Sequence, residues 1–421
     1  MDGIMEIKRD RYLQKIVNRM HNGMIKVITG IRRSGKSYLL FTIFRNYLKA
    51  HDVADNHIIA IELDMYENEK YRNPEEILNY IKSRIVDDGD YYILIDEVQL
   101  LNKFESVLNS LLHIRNADIY VTGSNSRFLS KDVITEFRGR GDEVHVYPLS
   151  FGEFMEVFNG DRYEGWSSYV RFGGLPLTVT MATDEQRMDY LTQLFEETYI
   201  KDIIERHHIE KVQEMNDLIN ILASGIGSLT NASKIKDTFK SVIQSDISLN
   251  TVRTYIEYLK YAFIVNEANR YDVKGRKYIG TPLKYYFEDV GLRNARLGFR
   301  QVEATHLMEN VIYNELRIRG YHVDVGVVVK RERNKEGVQE KKQLEIDFVA
   351  NKGSKRYYIQ SAFSLPDEEK IAHEKASLVN VNDSFRKIII VKDVIKPWYD
   401  NDGILTIGIY DFLLDDNSLN F

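Results

Sequence analysis

Four short apolar strings punctuate the first 150 residues: Met24–Thr29 (MIKVIT), His57–Asp64 (HIIAIELD), Tyr91–Asp96 (YYILID) and Asp118–Thr122 (DIYVT). After the first, apolar residues recur at helical spacing at Leu39, Leu40, Ile43, Phe44, Tyr47 and Leu48. Near-continuous apolar strands alternating with helices predict a parallel sheet covered on both faces. In such sheets the groups that hold ligands collect at the carboxyl ends of the strands. After Tyr147-Pro148-Leu149-Ser150 the period becomes helical, and Gly173-Gly174-Leu175-Pro176 breaks it. This break reads as a rigid helix–helix corner, with a lid hinge as the alternative. Residues 208–292 read as three helices and a hairpin. The third helix opens at Ser248 or Asn250, with Val252, Tyr255, Ile256 and Leu259 as its apolar stripe. Phe263–Ala268 and Lys277–Ile279 pair around Lys274-Gly275. That order is a winged helix. From Arg293 a helix, several strands, a helix and a strand follow. The expected class is therefore α/β: a sheet domain over 1–150, a helical lid over 151–207, a winged helix over 208–292 and an α/β end domain over 293–421.

Composition narrows this picture little. The chain has 421 residues, which sets a prior of roughly two to four domains. A hydrophobic share of 43% beside 29% charged residues suits a globular protein. The absence of cysteine excludes disulfides and thiolate metal sites. No apolar run approaches the roughly 20 residues that span a bilayer, and the start MDGIMEIKRDRYLQK carries charges where a signal peptide is apolar. The expectation is a cytoplasmic protein without membrane contact. A net charge of −6 gives no overall field for nucleic acid and leaves only local patches.

The first string runs straight into Gly30-Ile31-Arg32-Arg33-Ser34-Gly35-Lys36-Ser37, which fits G-x-x-x-x-G-K-[ST] in its required setting of strand, loop and helix. Gly30, Arg33, Ser34 and Gly35 would form the phosphate cradle, where glycines let backbone N–H groups close around phosphate oxygens. Lys36 would neutralise the β- and γ-phosphates, and Ser37 would ligate Mg²⁺. The third string ends in Asp96-Glu97. Asp96 is placed for the magnesium shell and Glu97 to polarise an attacking water. The fourth ends in Gly123-Ser124-Asn125-Ser126, where a polar side chain can hold the γ-phosphate and the water. Within Phe137-Arg138-Gly139-Arg140-Gly141 an arginine can serve as a finger, in cis or in a neighbouring subunit's site; a solvated basic turn is the plainer reading. No guanine-reading N-K-x-D string is present, which favours ATP over GTP.

The strings GIRRSGKS, LIDEVQ, YVTGSNS, FRGR and EVHVYPLSFGEF, with RFGGLP, KYYFEDVGLRNA, ENVIYNEL, EIDFVA and YYIQSAFSL downstream, resemble a family of prokaryotic P-loop ATPases of the AAA+ superfamily. Their C-terminal domain is uncharacterised and related to restriction-endonuclease-like folds. The resemblance covers nearly the whole chain. It implies a sheet with the phosphate-loop strand central, a helical lid, a winged helix and a nuclease-like end domain. It makes Ser124 or Asn125 the sensor, with Asn125 the residue selected here, and Arg140 the finger.

Two further readings concern partners. The wing offers Arg270, Lys274, Arg276 and Lys277 for nucleic-acid backbone, although winged helices also serve as protein contacts. Metal-dependent nucleases of the end-domain fold need a helix carboxylate, a strand carboxylate, and a third acid with a lysine two residues on. Glu309 or Glu315 suits the first and Asp347 the second, but the third strand reads Gln360-Ser361-Ala362, without the lysine. The end domain is therefore expected to have lost its chemistry. Three functions stay open. The first is an ATPase whose turnover drives its C-terminal domains, on nucleic acid or as a homo-oligomer. The second is a nucleotide-gated DNA nuclease. The third is a slow-turnover switch or scaffold for an unknown protein partner.

Overall fold

A computed structural model describes residues 7–123, 139–301, 303–333 and 339–421. They fall into two compact units. The first holds Met1–Pro148 with Leu175–Leu177 and Lys260–Ile264; the second holds the rest.

The first unit is built on five parallel strands, β1 (Ile25–Thr29), β2 (Ile58–Glu62), β3 (Tyr91–Asp96), β4 (Ala117–Thr122) and β5 (Gly141–His145), in the order β2-β3-β4-β1-β5. Alternate side chains of a strand point to opposite faces, and here both faces are apolar. Ile25, Val27, Ile59, Ile61, Ile93, Ile95, Ile119 and Val121 enter one buried cluster. Ile28, Ile58, Tyr92, Leu94, Tyr120 and Val144 enter the other, with Leu39, Leu40 and Phe44 from the helical run 36–50. The continuous apolar strings are thus explained by burial on two sides. Lys26 is the exception. Its buried ammonium pairs with Asp118 and lies 4.9 Å from the Tyr120 ring centre, and Tyr120 donates its hydroxyl to Asp118 at 2.6 Å.

The second unit contains helices and an eight-stranded mixed sheet. Its strands are β6 (Val265–Asp272), β7 (Lys277–Phe287), β8 (His322–Arg333), β9 (Gln339–Lys352), β10 (Lys355–Ala362), β11 (Arg386–Val391), β12 (Trp398–Tyr399) and β13 (Ile404–Gly408), in the order β12-β13-β11-β10-β9-β8-β6-β7. The third helix of the expected winged helix is Leu249–Tyr261, and Val252, Tyr255, Ile256 and Leu259 are buried as its stripe requires. The hairpin does not stand apart from the end domain. Arg270, Tyr271 and Asp272 of β6 pair in parallel with Val325, Gly326 and Val327 of β8, so one sheet runs across the expected border at 292/293.

The Gly173-Gly174 turn is pinned from several sides. Gly173 ends the helix Arg162–Phe172 at φ +73°, a region that favours glycine. The Asp289 carboxylate accepts the Gly174 N–H at 2.8 Å and the Leu292 N–H at 3.0 Å, while the Gly174 carbonyl accepts Leu149 N–H at 2.7 Å. A Cβ at Gly291 would lie 2.1 Å from the Phe172 carbonyl oxygen. The strings RFGGLP and EDVGLRNA are therefore two halves of one joint. Burial pushes the Asp289 carboxyl up to about 6, against the N–H donors that hold it down. An acid whose folded value is raised stabilises the fold below its unfolded value of 3.8, and that contribution is lost as pH rises through about 6. The window is worth about 3 kcal/mol. Urea midpoints measured at steps from pH 4 to pH 6.5 should carry this fall in wild type, and Asp289→Asn should remove it. Equal pH slopes in the two proteins would contradict the assignment.

Candidate functional site

The carboxyl ends of β1, β3 and β4 carry the chemistry of the first unit. The loop leaves β1 at Gly30, whose φ is +139° and where a Cβ would meet the Val146 carbonyl oxygen at 2.1 Å. Only glycine fits that approach of β1 to the segment after β5. Arg33 and Gly35 also take left-handed φ, +63° and +94°, and curl the loop into the helix that starts at Lys36. Arg33 is exposed. The Lys36 ammonium is buried and donates to the carbonyls of Gly30 at 3.0 Å and Ile31 at 2.9 Å. The Ser34 hydroxyl is fully buried and has no hydrogen-bond partner among the described residues. Pro176 lies against the loop, 3.8 Å from where a Cβ of Gly35 would stand. Nothing in the sequence tied that proline to the loop beyond its place in GGLP.

Asp96 ends β3 nearly buried, and it accepts hydrogen bonds from the Thr122 and Ser37 hydroxyls. Burial pushes its carboxyl above the usual range, and the Thr122 and Ser37 donors oppose this. Glu62, opposite Asp96 at the end of β2, is also raised, by burial and then by the charges of Asp96 and Asp64. Glu97 sits at φ +47° with its N–H donated to Thr122 Oγ1 at 3.0 Å, and Gln99 Nε2 donates to its carboxylate. Thr122 and Gln99 were missed in the sequence; the first is the last residue of an apolar strand and the second belongs to a string, LIDEVQ, noted only for its resemblance. Lys36, Ser37, Asp96 and Glu97 thus gather at one edge. Asn125 and Ser124 lie outside the described residues, as does Arg138. Arg140 is exposed, and its carbonyl accepts Ile25 N–H at 2.8 Å. It therefore stands at the start of β1, five residues or about 16 Å of strand from Gly30. That placement sets the Arg140 backbone away from the glycine loop of its own chain.

In the second unit the wing changes. Arg270 is buried and donates to Gln343 Oε1 at 3.2 Å, so it is not a surface cation. Inward pointing from β6 took it, because alternate residues of that strand face the sheet's covered side. Lys274, Arg276 and Lys277 are exposed, with Lys274 donating to the Val329 carbonyl at 3.2 Å.

The expected nuclease residues partly converge. Glu309 and Asp347 meet, and Gln360 Oε1 accepts Asp347 N–H at 3.4 Å. Glu315 does not join them; it pairs with Arg319 at 2.7 Å. A lysine is present after all. Lys284 of β7 reaches Glu345 at 2.7 Å, Glu309 at 2.9 Å and Asp347 at 3.6 Å, and Tyr286 donates to Glu309 at 2.6 Å. Burial alone would lower the Lys284 ammonium, but the charges of Glu309, Asp347 and Glu345 outweigh it and raise it. Burial and the Glu309 charge push Asp347 up to about 7, against Lys284. Ala362 leaves the third strand without a lysine, and the cation beside Asp347 comes instead from a strand far upstream. Among the described residues no group of three or more His, Asp or Glu side chains is arranged to hold a metal ion.

A parallel sheet whose first strand feeds a glycine loop and helix, beside a strand ending in two carboxylates, has the form of a P-loop nucleotide-binding domain. Residues 22–155 match a family model described as an AAA domain, and residues 163–303 match one described as a domain of unknown function. An uncharacterised protein of Haemophilus influenzae is 32% identical over 417 residues, 97% of this chain and 98% of that one. An uncharacterised protein of Methanocaldococcus jannaschii is 27% identical over 412 residues, 92% of this chain and 85% of the other. The chain belongs to one family with the Haemophilus protein, and the AAA-domain match lies in its first part. Among solved structures, Cdc6p from Pyrobaculum aerophilum aligns at TM-score 0.30 and 11% identity, covering 71% of this chain and 96% of that one. The Aeropyrum pernix ORC1 protein, solved in complex with DNA, aligns at 0.28 and 13%, covering 70% and 93%.

Proposed function

We propose that this chain binds ATP with Mg²⁺ and hydrolyses it, and that turnover changes the conformation of its C-terminal part. The observation that carries the reading is the Ser37–Asp96–Thr122 hydrogen-bond network at the mouth of the glycine loop. The residues fit the cation. Ser37 and Asp96 offer two oxygen ligands, and the raised Asp96 and Glu62 carboxyls mark crowded negative charge that a divalent ion relieves. The buried, partnerless Ser34 hydroxyl suits a phosphate oxygen. Bound Mg²⁺ would supply charge for the phosphates. Lys36 leaves the Gly30 and Ile31 carbonyls for the β- and γ-phosphates, Thr122 holds Asp96, and Glu97 takes a proton from the attacking water. Arg140 completes the site from a second copy of the chain, and Asn125 holds the γ-phosphate.

Lys36→Ala should abolish ATP binding, and Glu97→Gln should keep it while slowing hydrolysis by at least about 10²-fold, the scale of a lost general base. Isothermal titration with ATP and steady-state phosphate release measure the two. Wild-type affinity in Lys36→Ala, or wild-type turnover in Glu97→Gln, sinks the corresponding role.

Lys284 favours a second reading, a metal-dependent nuclease in the C-terminal part, since it supplies a cation beside Glu309, Glu345 and Asp347. Against it, the ammonium sits among those carboxylates as their counter-ion. The first reading predicts DNA binding through Lys274, Arg276 and Lys277 without cleavage. Changing the three together to Ala should flatten the slope of log K against log salt by about 0.9 per lost phosphate contact. DNA incubated with Mg²⁺ or Mn²⁺, with and without ATP, should stay intact. Cleavage lost in Asp347→Asn and kept in Lys36→Ala would establish the second reading, and no binding at low salt would leave proteins as the partners.

A further inference from the structure

Gln99 stands on a tightly held turn. Glu97 opens it, Leu100 N–H returns to the Glu97 carbonyl at 2.9 Å and Leu101 N–H to the Val98 carbonyl at 3.0 Å. Val98 and Leu101 are buried in the same cluster as β3, so the short helical turn Val98–Leu100 cannot swing freely. The Gln99 side chain folds back over this turn, and its Nε2 donates to Glu97 Oε2. A carboxylate takes only donors, which fixes which end of the carboxamide faces it. The other end, Gln99 Oε1, is buried and has no hydrogen-bond partner among the described residues. A buried acceptor left without a partner destabilises the fold, and such atoms are rare enough to demand a cause.

We propose that Gln99 orients the attacking water, with Oε1 accepting one of its protons while Glu97 accepts the other. This rests on the hydrolytic reading above and assigns a residue to it. The carboxamide holds its acceptor beside the nitrogen that touches the carboxylate, so a water that enters with the nucleotide meets both acceptors. Two acceptors leave a lone pair of the water free to face the γ-phosphorus. In the step, the water oxygen forms a bond to phosphorus and the bond from phosphorus to the β,γ-bridging oxygen breaks, its electron pair leaving with ADP. One water proton passes to Glu97, and the one held by Gln99 stays with the new phosphate. Positioning of this kind acts on the transition state and leaves ground-state nucleotide binding alone.

Gln99→Met keeps the length and packing of the side chain and removes both polar atoms; Gln99→Ala serves as a second variant. Three quantities are measured for each beside wild type and Glu97→Gln: kcat at saturating Mg·ATP, Kd for a non-hydrolysable ATP analogue, and the urea unfolding midpoint. The expected result is a fall in kcat of at least about 10-fold, the low side of a lost proton-positioning group, with analogue Kd within twofold and a Gln99→Met midpoint no lower than that of wild type. Turnover within twofold of wild type in Gln99→Met overturns the inference, and so does a loss of analogue affinity that matches the loss of kcat. Wild type without any turnover overturns the hydrolytic reading itself. Normal wild-type turnover, a dead Glu97→Gln and a normal Gln99→Met overturn Gln99 alone.

Discussion

Parallel register is the constraint on which the first unit depends. Glu62 lies opposite Asp96, Ile28 opposite Thr122 and Thr29 opposite His145, so β2, β3, β4, β1 and β5 finish level at one edge. Two apolar faces hold that register, because a slip of one residue would turn every buried side chain to the wrong layer. Once the strands finish level, Gly30, Asp96 and Thr122 are neighbours without further adjustment. The close approach of Gly30 to the Val146 carbonyl then sets where the loop begins, and the helix it enters places Ser37 on Asp96.

Charge is concentrated where the register puts it. Asp96, Glu97, Glu62 and Asp64 crowd the carboxyl edge, and the rise in Asp96 and Glu62 is the electrostatic sign of that crowding. At the other end of the same strands Lys26 and Asp118 satisfy each other under Tyr120. The two edges differ in kind: one is an ion pair within the chain, the other gathers carboxylates whose burial and mutual charge raise Asp96 and Glu62. The second unit repeats the first kind. Lys284 neutralises Glu309, Glu345 and Asp347 from within, and Asp289 spends its acceptors on the backbone of the Gly173-Gly174 turn.

What was legible in the sequence was local. The strands of the first unit are continuous apolar strings because both faces are buried, and the loop is a contiguous motif whose glycines answer to backbone geometry. What failed depended on distant pairing. Lys284 reaches Asp347 only because β7, β6, β8 and β9 lie side by side, and no spacing rule carries that across the intervening residues. Arg270 looked like a wing cation until β6 turned it inward to Gln343. The finger at Arg140 is neither met nor refused: Arg140 precedes β5 and so lies at the amino edge of its own sheet, because every strand runs the same way. Gln99 carried no motif of its own; only the unmatched buried oxygen beside Glu97 marks it.

The central claim is that the β1 loop and the Asp96 edge form one magnesium-dependent phosphate site. Its most direct test is phosphate release from ATP by the wild-type chain as Mg²⁺ is titrated from none, with EDTA at the start. No release is expected without the cation, and saturable release as it is added, following one binding curve. Release that is indifferent to Mg²⁺, or none at any concentration of cation and protein, would contradict it.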